Sequence, residues 1–193
     1  MQHPLEVDNA KGSARLLHLC LSNSRMVSGE VFPEVALQGL LKAPFESDAF
    51  DQTPKHAVLL YPDSPQNAGL QWLEPPNLPP EWLDDPSQLR LVVLDGTWRK
   101  SRKMLHLNPL LQKLPRLSLI GLTESHYLIR KAHRPDQRST LEATCAALAR
   151  MEGRSEPFLP LLEAFDGFVA QQLEARLLGN GDGVLPPDVR EVA

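Results

Sequence analysis

The chain has 193 residues, 42% of them hydrophobic and 23% charged, which is ordinary for a soluble globular protein with one sizeable core. Its formal net charge of −4 shows none of the overall basicity that would point to a nucleic-acid partner. No apolar run approaches the roughly 18 residues of a membrane span, and no charged-then-apolar leader opens the chain, so we expect a cytoplasmic protein without a membrane partner.

The first third of the chain is predicted to hold one short helix and one buried strand. Ser13 to Leu21 has helical apolar spacing, with Ser13 as the expected N-cap. Ala57 to Tyr61 is predicted to form a buried strand that ends at a proline. Cys20 and Cys145 both fall in apolar helical patterns, so we expect two buried free thiols, which suit a reducing cytosol.

The stretch from residue 62 to residue 88 holds seven prolines and two tryptophans, Trp72 and Trp82. Irregular connections of this length are uncommon in compact domains and tend to be lids over a site or disordered segments. A surface flap pinned by its tryptophans is a third interpretation. The sequence leaves all three open.

A strand followed by a basic helix forms the centre of the chain. Leu91 to Leu94 is predicted as a buried strand and Trp98 to Leu107 as a helix. The apolar side of this helix is expected to consist of three residues: Trp98, Met104 and Leu105. Between the two elements, Asp95-Gly96-Thr97 lies where open α/β sheets bind their ligands. The alternative is a simple turn with Thr97 as the helix N-cap.

Cations are concentrated between residues 90 and 138. Eleven Lys and Arg residues but only three acidic residues fall in this span. Four of the cations are expected to face outward from the basic helix: Arg99, Lys100, Arg102 and Lys103. These side chains form either a positive face suited to nucleic acid or an ordinary solvated helix surface.

The second half of the chain is predicted to continue the alternation of strands and helices. Arg116 to Leu119 is the third predicted strand, and a polar irregular stretch follows it. A capping box of Ser139 and Glu142 opens a helix over Thr140 to Met151, and Pro157 to Leu178 is a further amphipathic helix.

This alternation predicts an α/β fold with a mainly parallel sheet flanked by helices. We expect a single domain over residues 1–178. The Gly- and Pro-rich residues 179–193 are expected to form a flexible tail.

Several short sequence motifs resemble those of a known family. LDGTW at residues 94–98, SHYLIR at 125–130 and STLEA at 139–143 resemble the DTW-domain family in order and spacing. QHPLE at residues 2–6, with GSARLLHLCLSNS at 12–24, is similar to that family's entry segment. The resemblance covers about Gln2 to Phe168.

One departure from the family concerns metal binding. Many members carry a cysteine-rich cluster ahead of QHP, for metal, whereas this sequence starts at Met1-Gln2-His3. Either that segment is absent from this protein or the sequence begins after it. We expect no metal site in residues 1–193.

The resemblance implies a fold and an activity. Family members are tRNA-uridine aminocarboxypropyltransferases, which move the 3-amino-3-carboxypropyl group of S-adenosylmethionine to N3 of a uridine. Their domain is akin to SPOUT-type α/β folds, which implies a knotted carboxy-terminal region. The substrate would be tRNA and the cofactor S-adenosylmethionine, whereas the oligomeric state and the modified uridine are not indicated.

The resemblance and the residues together give each site residue an expected role. Asp95 would take the N3 proton as general base. Seven residues are expected to contact the cofactor: Leu94, Gly96, Thr97, Ser125, Arg130, Ser139 and Thr140. Arg130 would hold the cofactor carboxylate as a bidentate pair. The four helix cations would meet tRNA phosphates, and Trp98 is expected to pack rather than to stack.

Two other functions fit the same residues. One is a SPOUT-type RNA methyltransferase, which differs in transferring a methyl group. The other is a non-catalytic RNA-binding module, which needs neither a cofactor nor Asp95.

Overall fold

The computed structural model describes residues 1–8, 12–43, 55–62, 73–119 and 139–179, without the side chains of residues 172, 173 and 175–179. In these ranges the chain forms three strands: β1 (His56–Leu60), β2 (Leu89–Val93) and β3 (Arg116–Leu117). It also forms six α-helices: α1 (Ser13–Cys20), α2 (Glu34–Lys42), α3 (Trp98–Leu107), α4 (Pro109–Gln112), α5 (Thr140–Glu152) and α6 (Leu159–Gly179).

The three strands form one parallel sheet with the order β2-β1-β3. β1 pairs with β2 from His56 opposite Leu89 to Leu60 opposite Val93, and with β3 at Leu60 opposite Leu117. The predicted α/β class with a parallel sheet is therefore confirmed. The ends of the predicted strands differ from the observed ends by one or two residues, because a buried apolar run locates a strand but does not define its ends.

Helices cover both faces of the sheet. Neighbouring residues of a strand point to opposite faces, and in β1 both Val58 and Leu59 are fully buried. Leu59 belongs to a cluster built from α2, α3 and α4, which includes Met104. Val58 belongs to a cluster on the other face that includes Met151 of α5. This double covering explains why β1 has consecutive apolar residues rather than alternating apolar and polar ones.

A third apolar cluster joins α1, α5 and α6. It contains Leu17 of α1, Leu141 and Cys145 of α5, and Phe165 of α6. Burial raises the pKa of the Cys145 thiol to about 11, so this cysteine is an inert core residue. The cluster fixes the start of α5 beside the sheet.

Three expectations about single residues were wrong. Cys20, the last residue of α1, is exposed. The N-cap of α1 is Gly12, and Ser13 is the first helical residue. Arg90 is buried in β2, where it donates to the carbonyl of Leu40 at 2.9 Å, so it adds nothing to a positive surface.

Part of the proline-rich stretch is held against the sheet. Residues 73–88 contain two short 3-10 turns, Pro80–Leu83 and Pro86–Gln88. The Trp82 ring stacks on His56 with centroids 4.1 Å apart, and Trp82 also packs against the cluster of Val58. These contacts agree with the flap interpretation for residues 73–88. The choice between a lid and a flap for residues 62–88 stays a prediction. Trp72 and its neighbours lie outside the described residues.

Other predictions about the whole chain stay predictions. A carboxy-terminal knot involves the chain path through residues 120–138, which the structure does not describe. The same holds for the single domain over residues 1–178, the tail after residue 179 and the cytoplasmic location. No helix in the described ranges is long and apolar enough to cross a membrane.

Candidate active site

Asp95 lies at the carboxyl end of β2, where its side chain is half-buried. Its Oδ1 accepts a hydrogen bond from the Thr140 hydroxyl at 2.7 Å. Its Oδ2 accepts one from the Gln2 amide nitrogen at 3.0 Å. Among the described residues, no Lys, Arg or His side chain pairs with this carboxylate. Two neutral donors therefore hold the group in one orientation and leave its charge unneutralised.

The chain from Met1 to His3 forms an isolated parallel β-bridge with Asp95, just beyond the end of β2. The Asp95 amide donates to the Met1 carbonyl at 2.8 Å, and the His3 amide donates to the Asp95 carbonyl at 2.9 Å. On the other side, the amide of Gln2 donates to the Val27 carbonyl at 2.8 Å. Gln2 is thereby fixed between two chain segments, with its side chain directed at Asp95.

The amino group of Met1 lies at the end of β2. It donates to the Val93 carbonyl at 2.8 Å. Burial lowers its pKa to about 6, although the Asp95 carboxylate acts in the opposite direction. The group is therefore largely neutral near pH 7.

His3 connects the site to α3. Its Nδ1 accepts from the Leu5 amide at 3.2 Å, so the proton lies on Nε2, which donates to Glu30 at 2.8 Å. Glu30 also pairs with Lys103 at 2.9 Å. The Lys103 ammonium, and after it His3, holds the pKa of Glu30 below its ordinary value. This chain of contacts fixes the segment that carries Gln2.

Thr140 reaches Asp95 because of how α5 begins. The Ser139 hydroxyl accepts from the Glu142 amide at 3.2 Å, and the Glu142 carboxylate accepts from the Ser139 amide at 2.7 Å. The predicted capping box is confirmed. It leaves the amides of Thr140 and Leu141 without an acceptor among the described residues, so the helix start presents free donors and a partial positive charge.

Gly96 and Thr97 form the turn that the sequence predicts before α3, and they directly follow Asp95. The Thr97 hydroxyl accepts from the Lys100 amide at 3.4 Å, so Thr97 is the N-cap of α3. A Cβ on Gly96 would lie 3.2 Å from the Lys100 Cβ and 3.5 Å from the His3 Cβ. Gly96 therefore permits close packing, and Leu94 is buried beneath it.

The structure brings together five of the seven residues expected to contact the cofactor. Leu94, Gly96 and Thr97 follow β2, and Ser139 and Thr140 open α5. Ser125 and Arg130 lie outside the described residues. The hydroxyls of Thr97, Ser139 and Thr140 are already engaged in hydrogen bonds within the protein. The Thr97 and Ser139 hydroxyls act as acceptors in these bonds, so each keeps an O–H donor for a ligand, whereas the Thr140 hydroxyl uses its donor on Asp95.

The four cations of α3 do not form a uniform outward face. Lys100 is only partly exposed and pairs with Glu6 at 2.7 Å, and Lys103 pairs with Glu30. Arg99 is exposed and forms no ion pair with any described residue. The expectation that all four face freely outward was wrong, because the segment before α1 and the loop at Glu30 supply acids that the local sequence does not reveal.

Trp98 is 56% exposed, so the expectation that it packs into the core was wrong. Its ring and that of the neighbouring Tyr61 meet edge to face, with centroids 5.8 Å apart and an angle of 78° between the planes. Trp98 is the first residue of α3, where a side chain projects beside the strand end rather than under the helix.

Comparisons with known proteins agree on one family. A family model described as the DTW domain matches residues 1–173. The protein named tRNA-uridine aminocarboxypropyltransferase 2 in Drosophila melanogaster is 29% identical over 163 residues. This alignment covers 81% of the present chain but 56% of the relative, so the chain spans little more than half the relative's length. No solved structure matches the chain.

Proposed function

Because the chain belongs to the DTW domain family, we propose that it transfers the 3-amino-3-carboxypropyl group of S-adenosylmethionine to N3 of a uridine in tRNA. The other product is methylthioadenosine. The name of the Drosophila relative supports the reaction class and the tRNA substrate. The observation that carries the chemistry is the position of Asp95, a carboxylate held by two neutral donors at the carboxyl end of a parallel strand.

Asp95 acts as the general base. The N3–H of uridine is a poor nucleophile until the proton leaves, and each carboxylate oxygen keeps a lone pair beyond the one that Gln2 or Thr140 occupies. As the proton moves to Asp95, N3 forms a bond to the carbon next to the sulfonium. The bond from that carbon to sulfur breaks, and its electron pair neutralises the sulfur.

The cofactor is a sulfonium ligand with its own carboxylate, and the donors around Asp95 suit such a group. The free amides of Thr140 and Leu141 and the partial positive charge at the start of α5 favour a carboxylate. Gly96 lets the backbone approach a ligand closely. Ser125 and Arg130 remain proposed contacts on the strength of the SHYLIR motif. S-adenosylmethionine supplies the activated carbon, so the protein contributes mainly placement.

The RNA is proposed to meet the end of α3 that carries Arg99 and Arg102. This helix contains no acidic residue, but two of its cations are partly neutralised by Glu6 and Glu30. Phosphate contacts from the cations of α3 give an affinity that falls as salt rises.

The proposed function is tested by incubating the protein with tRNA and S-adenosylmethionine and analysing nucleosides and small products by mass spectrometry. We expect a uridine that gains one aminocarboxypropyl group, with methylthioadenosine in equal amount. A methyl gain with S-adenosylhomocysteine would instead identify a methyltransferase. Absence of cofactor binding in calorimetry would favour a non-catalytic RNA-binding module.

A further inference from the structure

We propose that Trp98 is a stacking platform for an unpaired base of the RNA, next to the base that reacts at Asp95. This inference rests on the proposed function for the identity of the RNA. Trp98 is three residues beyond Asp95 in the chain, and more than half of its side-chain surface is open. An exposed tryptophan offers a large aromatic face that a partner can cover.

The Trp98 ring is oriented before any ligand arrives. Tyr61, which is 93% buried, meets it in an edge contact with an angle of 78° between the planes. The backbone of Trp98 is fixed as the first turn of α3, which Thr97 caps. A ring that is already oriented loses little conformational entropy when a base stacks on it.

Cations surround this aromatic pair. The Arg116 guanidinium carbon lies 5.2 Å from the centre of the Tyr61 ring. Arg102 lies one helical turn beyond Trp98, on the same face of α3. Burial raises the pKa of the Tyr61 phenol, against the nearby charges of Arg116 and Arg102. Arg116 also donates to the Pro62 carbonyl at 3.1 Å. An aromatic ring near positive charge is complementary to a nucleotide, whose base stacks and whose phosphate is attracted by that charge.

The position of Trp98 and Tyr61 in the fold links them to the proposed reaction. Tyr61 directly follows β1, and Asp95 and Trp98 follow β2, so all three lie at the carboxyl-end edge of the parallel sheet. The same edge carries the start of α5, through Thr140. A strand of RNA that delivers its uridine to Asp95 therefore passes this ring.

The test measures binding of a fluorescent single-stranded oligouridine by anisotropy, without S-adenosylmethionine. We expect Trp98→Ala to weaken binding about 5- to 100-fold, the range for loss of one base–aromatic stack. Trp98→Phe should keep most of the affinity. Leu107→Ala removes an exposed apolar side chain from the other end of α3 and should leave the affinity unchanged.

The dependence of Kd on salt concentration distinguishes the loss of a stacking contact from the loss of a charge contact. Trp98→Ala should keep the wild-type slope of log Kd against log salt, whereas Arg99→Ala should reduce the slope by about one. A variant whose only tryptophan is Trp98, made by Trp72→Phe and Trp82→Phe, should lose fluorescence on adding the oligouridine. Equal affinities of the wild type and Trp98→Ala, or no binding by the wild type, would overturn the proposal.

The result is independent of the transfer reaction. If Trp98→Ala weakens binding while mass spectrometry finds no modified uridine, the stacking platform stands and the proposed function fails. If uridine is modified but the oligouridine binds Trp98→Ala as tightly as the wild type, the platform fails and the proposed function stands. A lowered melting temperature of Trp98→Ala at unchanged affinity would identify a packing role and overturn the proposal.

Discussion

The hydrogen bond from Thr140 to Asp95 is the contact that joins α5 to the end of β2. Its length of 2.7 Å and its ionised acceptor place it among charge-assisted bonds. Such bonds contribute about 1.5–3 kcal/mol to stability. Thr140→Val keeps the shape of the side chain and removes only the donor, so we expect a loss of that order. With an m value of about 2 kcal/mol/M in urea, the unfolding midpoint should fall by about 0.7–1.5 M.

A double-mutant cycle isolates this bond. Thr140→Val, Asp95→Ala and the double variant should give a coupling energy of about 1.5–3 kcal/mol from urea unfolding. The matched control is Thr144→Val, one turn along α5, where the hydroxyl donates to the Thr140 carbonyl at 2.7 Å instead. Its coupling to Asp95→Ala should be below about 0.5 kcal/mol. Equal coupling energies in the two cycles would refute the assignment of Thr140 as the donor that orients Asp95.

Two further predictions concern the surroundings of the site. Lys103 holds the pKa of Glu30 below its ordinary value near 4.5. The loss of stability caused by Glu30→Gln should therefore be largest at neutral pH and should disappear as pH falls through that lowered pKa. Melting temperatures of both proteins from pH 7 to pH 3 check this, and a constant difference would contradict it. Gly96→Ala should lower the free energy of unfolding by about 1–3 kcal/mol, because the added Cβ would lie too close to the Lys100 side chain. Gly39→Ala, with nothing within 4 Å of the added Cβ, should instead stabilise α2 by about 0.5–1 kcal/mol in the same urea experiment.

Local signals predicted the elements that frame the site. The apolar run before Asp95 indicated β2, and the patterns of Thr97 and of Ser139 with Glu142 indicated the starts of α3 and α5. Each of these depends on residues within four positions of one another, so a single stretch of sequence contains the whole signal. The motif LDGTW placed Asp95 correctly at the strand end.

The partners of Asp95 could not be predicted in this way. Gln2 is 93 positions from Asp95 in the chain and Thr140 is 45 positions away, so only the folded sheet and helices bring them together. The QHPLE motif resembles the family's entry segment, but no local rule predicts that its glutamine forms a β-bridge to Asp95. The exposure of Trp98 escaped prediction for a related reason, since helical periodicity does not tell how much core covers the first residue of a helix.

The central claim is that the Asp95 carboxylate removes the N3 proton, and the Asp95→Asn variant tests it most directly. An asparagine can still accept from Thr140, and the Gln2 amide can turn its oxygen toward the new nitrogen, so the geometry is retained. Single-turnover transfer to tRNA and calorimetric binding of S-adenosylmethionine are measured on the same preparation. We expect transfer to fall about 10²- to 10⁴-fold with cofactor affinity close to wild type. Transfer at the wild-type rate would show that another group takes the proton.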